Sequence, residues 1–469
     1  MLNRLFDALR GRGAAVPAPA VSDTPGSGVP LDHLREMIAQ GRTTEACLQL
    51  HELANAHPRD ADVLALFGWA LFDLASYDQA REALAAALTI APGHPEALNT
   101  MGALAAGAAD PEEAIAWFED ALEADPASLP ARYNLAQALF VGGRYRRGFD
   151  LLRARHELLF GKANLLEPIP AWQGESLAGK HVFVWCDWGG LGDHLQFVRY
   201  VTLLRESAKP ARLTLGAGRE FSTLFARLPG VDAVTLPGQK APEADVHCPL
   251  LDLPYVFGTD LDSVPAAAPY LQADATLTAQ WAARLDKSGL PARRLKIGLA
   301  WKSAGPPGEV RVYQRMRVSK SIPAKLLAGL AGPDRAFVSL QVGADAGEAA
   351  ATRLAPIDLA AELRTFDDTA ALIANLDLVV SADTSVAHLA AALGKPVLLL
   401  LRHESGLFWL HGREDSPWYP SMRILRQAGS GAWEPVVASA VQWLRRAVAE
   451  GAQVIIPAKN SAHSGEQHA

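Results

Sequence analysis

The stretch ADVLALFGWALFDLASYDQAREALAAALTIAPGH, residues 61–94, decides how the first third of the chain is read. Leu64, Phe67 and Leu71 recur at spacings of three and four, and Tyr77, Ala80, Leu84, Ala87 and Leu88 do so again. That pattern predicts two amphipathic helices in succession. Pro92 closes the second, because proline cannot continue a helix. Gly68 and Ala80 are small enough to let the two helices approach closely. The same features return at a fixed interval along the chain. Small residues stand at Ala46, Ala80, Ala114 and Gly148, prolines at Pro58, Pro92 and Pro126, and Gly68 is followed by Gly102 and then Ala136.

A period of about 34 residues with small residues at fixed places marks tetratricopeptide helix pairs. An atypical copy carries Leu34, Ala46, Leu50 and Pro58, and a degraded last copy carries Tyr133, Ala136, Tyr145 and Gly148. One helix pair cannot bury its apolar face alone, so about four stacked pairs are predicted over residues 27–160. A plain helical bundle is the alternative, and three independent series in one period argue against it. Such a stack presents a groove for a protein or peptide partner.

The rest of the chain is globular in composition. Apolar residues make up 49% and charged residues 20% of 469, enough core material for about three domains. A net charge of −7 and a pI near 6.0 argue against nucleic acid as a whole-protein partner. Cys47, Cys186 and Cys248 are too scattered for a disulfide framework or a zinc site, so a reduced, cytoplasmic setting is expected. No apolar run is long enough to span a membrane. Residues 1–26 are expected to form a short helix and a flexible linker. Asp7 interrupts the apolar face of Leu2, Leu5, Phe6 and Leu9, which argues against a signal peptide. The polar tail at 459–469 is expected to be disordered.

After Glu167-Pro168-Ile169-Pro170 the pattern changes to short apolar strands alternating with helices. Strands are predicted at residues 181–186, 212–215 and 244–248, and a second series at 296–301, 336–340, 376–381 and 397–401. A helix is predicted over 193–206. The alternation implies two parallel doubly wound lobes, at 172–275 and 292–450, with ligands at the carboxyl ends of the strands.

Three motifs fall at such ends. In Trp188-Gly189-Gly190-Leu191-Gly192-Asp193-His194 the glycines, Gly190 and Gly192 among them, allow a tight strand-to-helix turn. Asp193 can serve there as the general base for an acceptor hydroxyl, or simply cap the helix. In Ser381-Ala382-Asp383-Thr384-Ser385-Val386-Ala387-His388 a helix opens after a strand. Its free amides, the Thr384 and Ser385 hydroxyls and His388 make a phosphate cradle; an N-cap over a buried histidine is the other reading. Asp383 is expected to orient the loop, because like charges repel an anion from it. The third stretch, Lys302 to Lys325, holds Lys302, Arg311, Arg315, Arg317, Lys320 and Lys325 against the single acid Glu309. It reads as a diphosphate clamp or as a solvated loop. No Asp-x-Asp follows a strand in a metal-site context, so no metal is expected.

These residues carry a resemblance. Gly190-Leu191-Gly192-Asp193 with Gln196-Phe197 and Arg199-Tyr200, then Ser319 to Pro323, then Asp383-Thr384-Ser385-Val386-Ala387-His388-Leu389-Ala390, and the stretch Arg413 to Pro420, are similar to bacterial tetratricopeptide proteins that end in a glycosyltransferase domain. That domain resembles the family 9 glycosyltransferases, the ADP-heptose–lipopolysaccharide heptosyltransferases. The resemblance implies a helical solenoid followed by a GT-B double-Rossmann domain. It implies an inverting, metal-independent transferase with no cofactor, whose donor is a nucleotide-sugar bound in the C-terminal lobe. It places the base on Asp193 and the phosphate-binding motif on Asp383, Thr384, Ser385 and His388, with Lys302 and Lys320 near the donor-phosphate basic positions; Ser321 is expected to help hold the leaving diphosphate. The 303–319 loop departs from the Asn/His/Asp-rich loop usual in such proteins. The repeats point to a protein acceptor or partner. A glycan or lipid acceptor, and a non-catalytic adaptor with a degenerate transferase domain, are the alternatives.

Overall fold

The computed structural model describes residues 30–457 apart from 161–165, 167, 168, 188, 292, 304–317, 344 and 405. The expected N-terminal helix and linker, the polar tail, Trp188, and Arg311, Arg315 and Arg317 lie outside the described residues. The chain forms two compact units. One is built from the described residues up to Leu165 together with Glu404–His411, and the other from the remainder.

The first unit is a stack of helix pairs: α1 Asp32–Ala39 with α2 Thr43–Ala56, α3 Ala61–Asp73 with α4 Tyr77–Ile90, α5 Pro95–Gly107 with α6 Pro111–Ala124, and α7 Leu129–Val141 with α8 Tyr145–Leu152. A short α9, Ala154–Phe160, follows. Local sequence explains the helix starts. Asp60, Asp110 and Ser128 accept from amides of the first turns of α3, α6 and α7, and prolines open α5 and α6, where an amide would have no partner.

The small residues set the distance between paired helices. A Cβ on Gly68 would lie 2.6 Å from Leu84 Cγ, and one on Gly102 2.6 Å from Phe118 Cε1. The last pair reverses the arrangement: Ala136 is on the first helix, and a Cβ on Gly148 of the second would lie 2.7 Å from Phe140 Cε1. A further periodic position is silent in the composition. Gly41, Ala75, Ala109 and Gly143, spaced like the repeat, all turn the chain with positive φ, at 81°, 61°, 65° and 76°. Alanine pays a steric cost there that glycine does not.

Glu404–His411 belongs to this unit although it comes late in the sequence. Phe408 is 6% exposed and its ring lies 4.9 Å from Phe140, 6.1 Å from Phe149 and 6.2 Å from Tyr145. The Tyr145 hydroxyl donates to the Phe408 carbonyl at 3.4 Å. These contacts cover the apolar face of the last pair, against which no fifth pair stacks among the described residues.

The second unit holds two parallel sheets. Strands β1 His181–Trp185, β2 Arg212–Gly216, β3 Ala233–Thr235 and β4 Val246–Pro249 lie in the order β3-β2-β1-β4. Strands β5 Leu295–Ala300, β6 Arg335–Ser339, β7 Ile357–Asp358, β8 Leu378–Ala382, β9 Val397–Leu401 and β10 Met422–Arg426 lie in the order β10-β9-β8-β5-β6-β7. Ile297, Leu299, Leu378, Val380, Leu398 and Leu400 pack against Trp433, Val436, Ala440 and Leu444 of the last long helix. Strands buried on both faces read as continuous apolar runs, as β9 does. The protein is thus a helical repeat region followed by a parallel-sheet α/β domain.

Two expectations are corrected here. β3, β7 and β10 were not foreseen: the first two have three and two residues, too few to show a period, and β10 is an edge strand just after Pro420. The helix predicted over 193–206 is two helices, α10 Leu191–Phe197 and α11 Arg199–Ala208, interrupted at Val198. The carbonyls that would continue α10 are taken by side chains. Leu195 O accepts from the Tyr270 hydroxyl at 2.8 Å, and Gln196 O from Arg199 Nε at 2.8 Å.

Candidate functional site

β1 leads into the glycine turn and α10, and β8 leads into α12, Ser385–Ala392. These two short helices pack directly on each other, so the first and second motifs meet. Gly192 makes the approach: a Cβ there would lie 2.7 Å from His388 Cδ2 and 2.9 Å from its Nε2. Any other residue would push the imidazole out of place.

Asp193 stands beside this contact, half-buried. Its Oδ2 accepts from the Gly190 amide at 2.6 Å, so it caps α10. Among the described residues its Oδ1 accepts from no donor, which leaves one carboxylate oxygen for a substrate. Gly189 has φ +108°, and a Cβ there would lie 2.9 Å from Asp193 Oδ2. The turn is therefore shaped around the carboxylate.

On the other lobe, α12 starts at Thr384 without a side-chain cap. The Thr384 hydroxyl is 3.1 Å from Ser381 Oγ instead, so the first amides of α12 are not covered by it. An uncapped helix start favours an anion. Asp383 is 8% exposed and its Oδ2 is 2.7 Å from Lys320 Nζ. It holds the lysine beside the helix start. An ammonium has three donors, and Asp383 uses one. His388 is buried one turn along α12, and its Nδ1 lies 2.9 Å from the Tyr419 hydroxyl. Burial drives its pKa down to about 4; Asp383 and Asp193 pull it up, while Lys320 and Arg199 push it down further. His388 is neutral at neutral pH.

The third motif is divided. Lys320 joins the site. Lys302, just past the end of β5, places its ammonium between Asp345, at 3.0 Å, and Glu348. It can reach an anion only by leaving those acids. Ser321 Oγ accepts from the Ser303 amide at 3.4 Å, and Ser385 is half-buried at the start of α12.

Sequence reasoning missed four contributors. Arg402 follows the end of β9 and donates to Ser319 Oγ at 2.7 Å, next to Lys320. Arg426 ends β10; burial lowers its pKa to about 10 against the pull of Asp383. Both stand at carboxyl ends of strands, a signal that was available once β9 and β10 were recognised. Arg199 and Tyr419 are buried, and although both fall in stretches that carry the resemblance, nothing local marks them as partners. Among the described residues no three His, Cys, Asp or Glu side chains are grouped to hold a metal, and no helix is long and apolar enough to cross a membrane.

Comparison with known proteins agrees with this architecture. A family model described as glycosyltransferase family 9 (heptosyltransferase) matches residues 336–432, and tetratricopeptide-repeat models match residues 61–94 and 103–154. The chain is 28% identical over 459 residues to Protein FlbA of Caulobacter vibrioides, across 83% of this chain and 74% of FlbA. Among solved structures it is similar to a family 9 glycosyl transferase from Veillonella parvula DSM 2008, with 14% identity, 55% of this chain and 88% of that one covered, and a TM-score of 0.42. It is also similar to the ADP-heptose LPS heptosyltransferase II of E. coli, with 16% identity, 57% and 98% covered, and a TM-score of 0.41. Matches to tetratricopeptide-repeat models are thus followed in the chain by a match to the glycosyltransferase family 9 model.

Proposed function

We propose that this protein transfers a sugar from a nucleotide-sugar donor to an acceptor hydroxyl, with inversion at the anomeric carbon. The observation that carries the proposal is the contact of Gly192 with His388. It brings a carboxylate of one lobe, Asp193, up to the uncapped start of α12 in the other.

In this reading Asp193 Oδ1 takes the acceptor proton as the hydroxyl attacks the anomeric carbon, and the bond to the donor diphosphate breaks on the opposite side. A positioned base of this kind contributes about 10²–10⁴ in rate. Negative charge develops on the leaving diphosphate. The Ser385 and Val386 amides, the Thr384 and Ser385 hydroxyls and the Lys320 ammonium meet it, with Arg402 and Arg426 at the neighbouring strand ends. Preorganised donors act where charge grows and need no rearrangement during the step. Ser321 lies on the margin of this cradle, and Lys302 is a reserve cation held by Asp345 and Glu348. The reading assigns charge neutralisation to these groups and calls for no metal or cofactor. The repeats dock a protein that presents the acceptor, in the cytoplasm where nucleotide-sugars are made.

The test is a thermal-shift screen of the purified chain against UDP-, GDP-, ADP- and CMP-linked sugars. Binding to the folded state raises the melting temperature, by about 2.7 kcal/mol of stability at a hundred times Kd. One donor class is expected to give a shift that Thr384→Ala removes. A folded protein that responds to none of the four would overturn the reading.

A further inference from the structure

The buried groups behind His388 form a connected polar chain. Arg199 is 4% exposed and has no acid beside it among its hydrogen-bond partners. Its guanidinium donates to the carbonyls of Gln196, Pro265 and Trp418 at 2.8, 3.1 and 2.6 Å, and to the Tyr270 hydroxyl at 3.0 Å. It lies 4.3 Å from the Tyr270 ring centre and 4.7 Å from that of Tyr419. The donors and acceptors then set a direction. Tyr270 accepts from Arg199 and has one proton, which goes to Leu195 O at 2.8 Å; the Tyr419 oxygen is 3.5 Å away. The Tyr419 hydroxyl, packed against the Arg199 cation, acts as a donor. Its neighbour at 2.9 Å is His388 Nδ1. A neutral imidazole that accepts at Nδ1 carries its proton on Nε2. That Nε2 lies, with Cδ2, on the ring edge that faces Gly192, the residue before Asp193.

We propose that Tyr419 is a positioning residue: it fixes His388 as the Nε2–H tautomer and presents that N–H to the Gly192–Asp193 turn, so that the base-bearing turn of one lobe is held in register with the anion cradle of the other. The Arg199 guanidinium, anchored by three carbonyls, is the fixed end of this chain. The neutral state of His388 agrees with it, since an imidazolium could not accept from Tyr419. The role in catalysis rests on the transferase reading above. The tautomer does not, and the experiment separates the two.

The full-length chain is labelled with ¹⁵N-histidine, and His388 is assigned by difference against His388→Gln. The expected wild-type spectrum shows a bare Nδ1 and a protonated Nε2, unchanged from pH 8 to pH 5. In Tyr419→Phe both shifts should move toward a mixture of tautomers. A wild-type Nδ1–H form, or unmoved shifts in Tyr419→Phe, overturns the proposal. If Tyr419→Phe does not fold, the wild-type spectrum alone still decides. With the donor found by thermal shift, release of nucleoside diphosphate should fall about tenfold or more in Tyr419→Phe, since small misplacements cost that much. The donor Kd should stay within about twofold. An equal loss of donor binding would overturn positioning and make Tyr419 a binding residue. A correct tautomer in a protein that binds no donor would sink the transferase and leave the Tyr419–His388 geometry standing.

Discussion

The repeats and the interlobe site both depend on a glycine pressed against a large side chain, and they depend on it differently. Gly102 meets Phe118 at the same separation at which Gly68 meets Leu84, and the last pair solves the same problem with Gly148 and Phe140. The job recurs and can be done from either helix. Gly192 meets His388 once, and the ring it touches belongs to a hydrogen-bonded chain with no second copy. Repetition makes the first region tolerant and readable, whereas the second stands on single contacts between distant parts of the chain.

Three measurements test that contrast. The largest effect should come from acid. Above pH 6.5 His388 is neutral in the folded and the unfolded chain alike. Between 6.5 and about 4 the unfolded chain takes up a proton that the folded one refuses, so stability falls as pH falls through this window. The groups facing the ring are Tyr419, Asp383, Asp193, Lys320 and Arg199. The loss should amount to about 3 kcal/mol from this residue, read as the difference in pH slope between wild type and His388→Gln in urea unfolding. Equal slopes would mean that the ring is not sealed from water.

Next are the glycines. Gly102→Ala should cost about 1–3 kcal/mol by overpacking against Phe118, and leave donor binding intact. Gly192→Ala should cost no more stability than that, and abolish the donor-induced thermal shift by displacing His388. If both variants bind donor alike, the two regions are not distinct in the sense argued. The smallest effect runs the other way. Ala75 and Ala109 hold positive φ where Gly41 and Gly143 stand in the other copies. Ala109→Gly should therefore stabilise the repeats by about 0.5–1 kcal/mol, seen as a higher unfolding midpoint in denaturant.

The same contrast explains what could be read from one sequence. Helix pairs were visible because Ala46, Ala80, Ala114 and Gly148 perform one task at one spacing. The apolar strands were visible because burial on both faces leaves runs such as Val397 to Leu401. The glycine turn and the start of α12 were visible as strand-to-helix junctions, and their residue types led to the base and anion roles proposed above. Their meeting was not visible, because Gly192 and His388 are linked only by the fold. Lys302 and Lys320 looked alike in sequence; Asp345 and Glu348 claim one, and Asp383 holds the other at the helix start. Arg199 and Tyr419 stood within stretches that carry the family likeness, but their pairing was not legible, since a buried polar network is recognised only when its partners are assembled.

Phe408 and its neighbours bear on how the repeats can be handled as a part. The unit that folds around Phe140, Tyr145 and Phe149 is completed by residues 404–411, which the ribosome delivers long after the helices. A graft cut cleanly at residue 165 would leave those three rings facing water. A transplantable repeat module of this protein is a discontinuous one, and chimaeras that exchange the repeats alone would carry a sticky end into their new host.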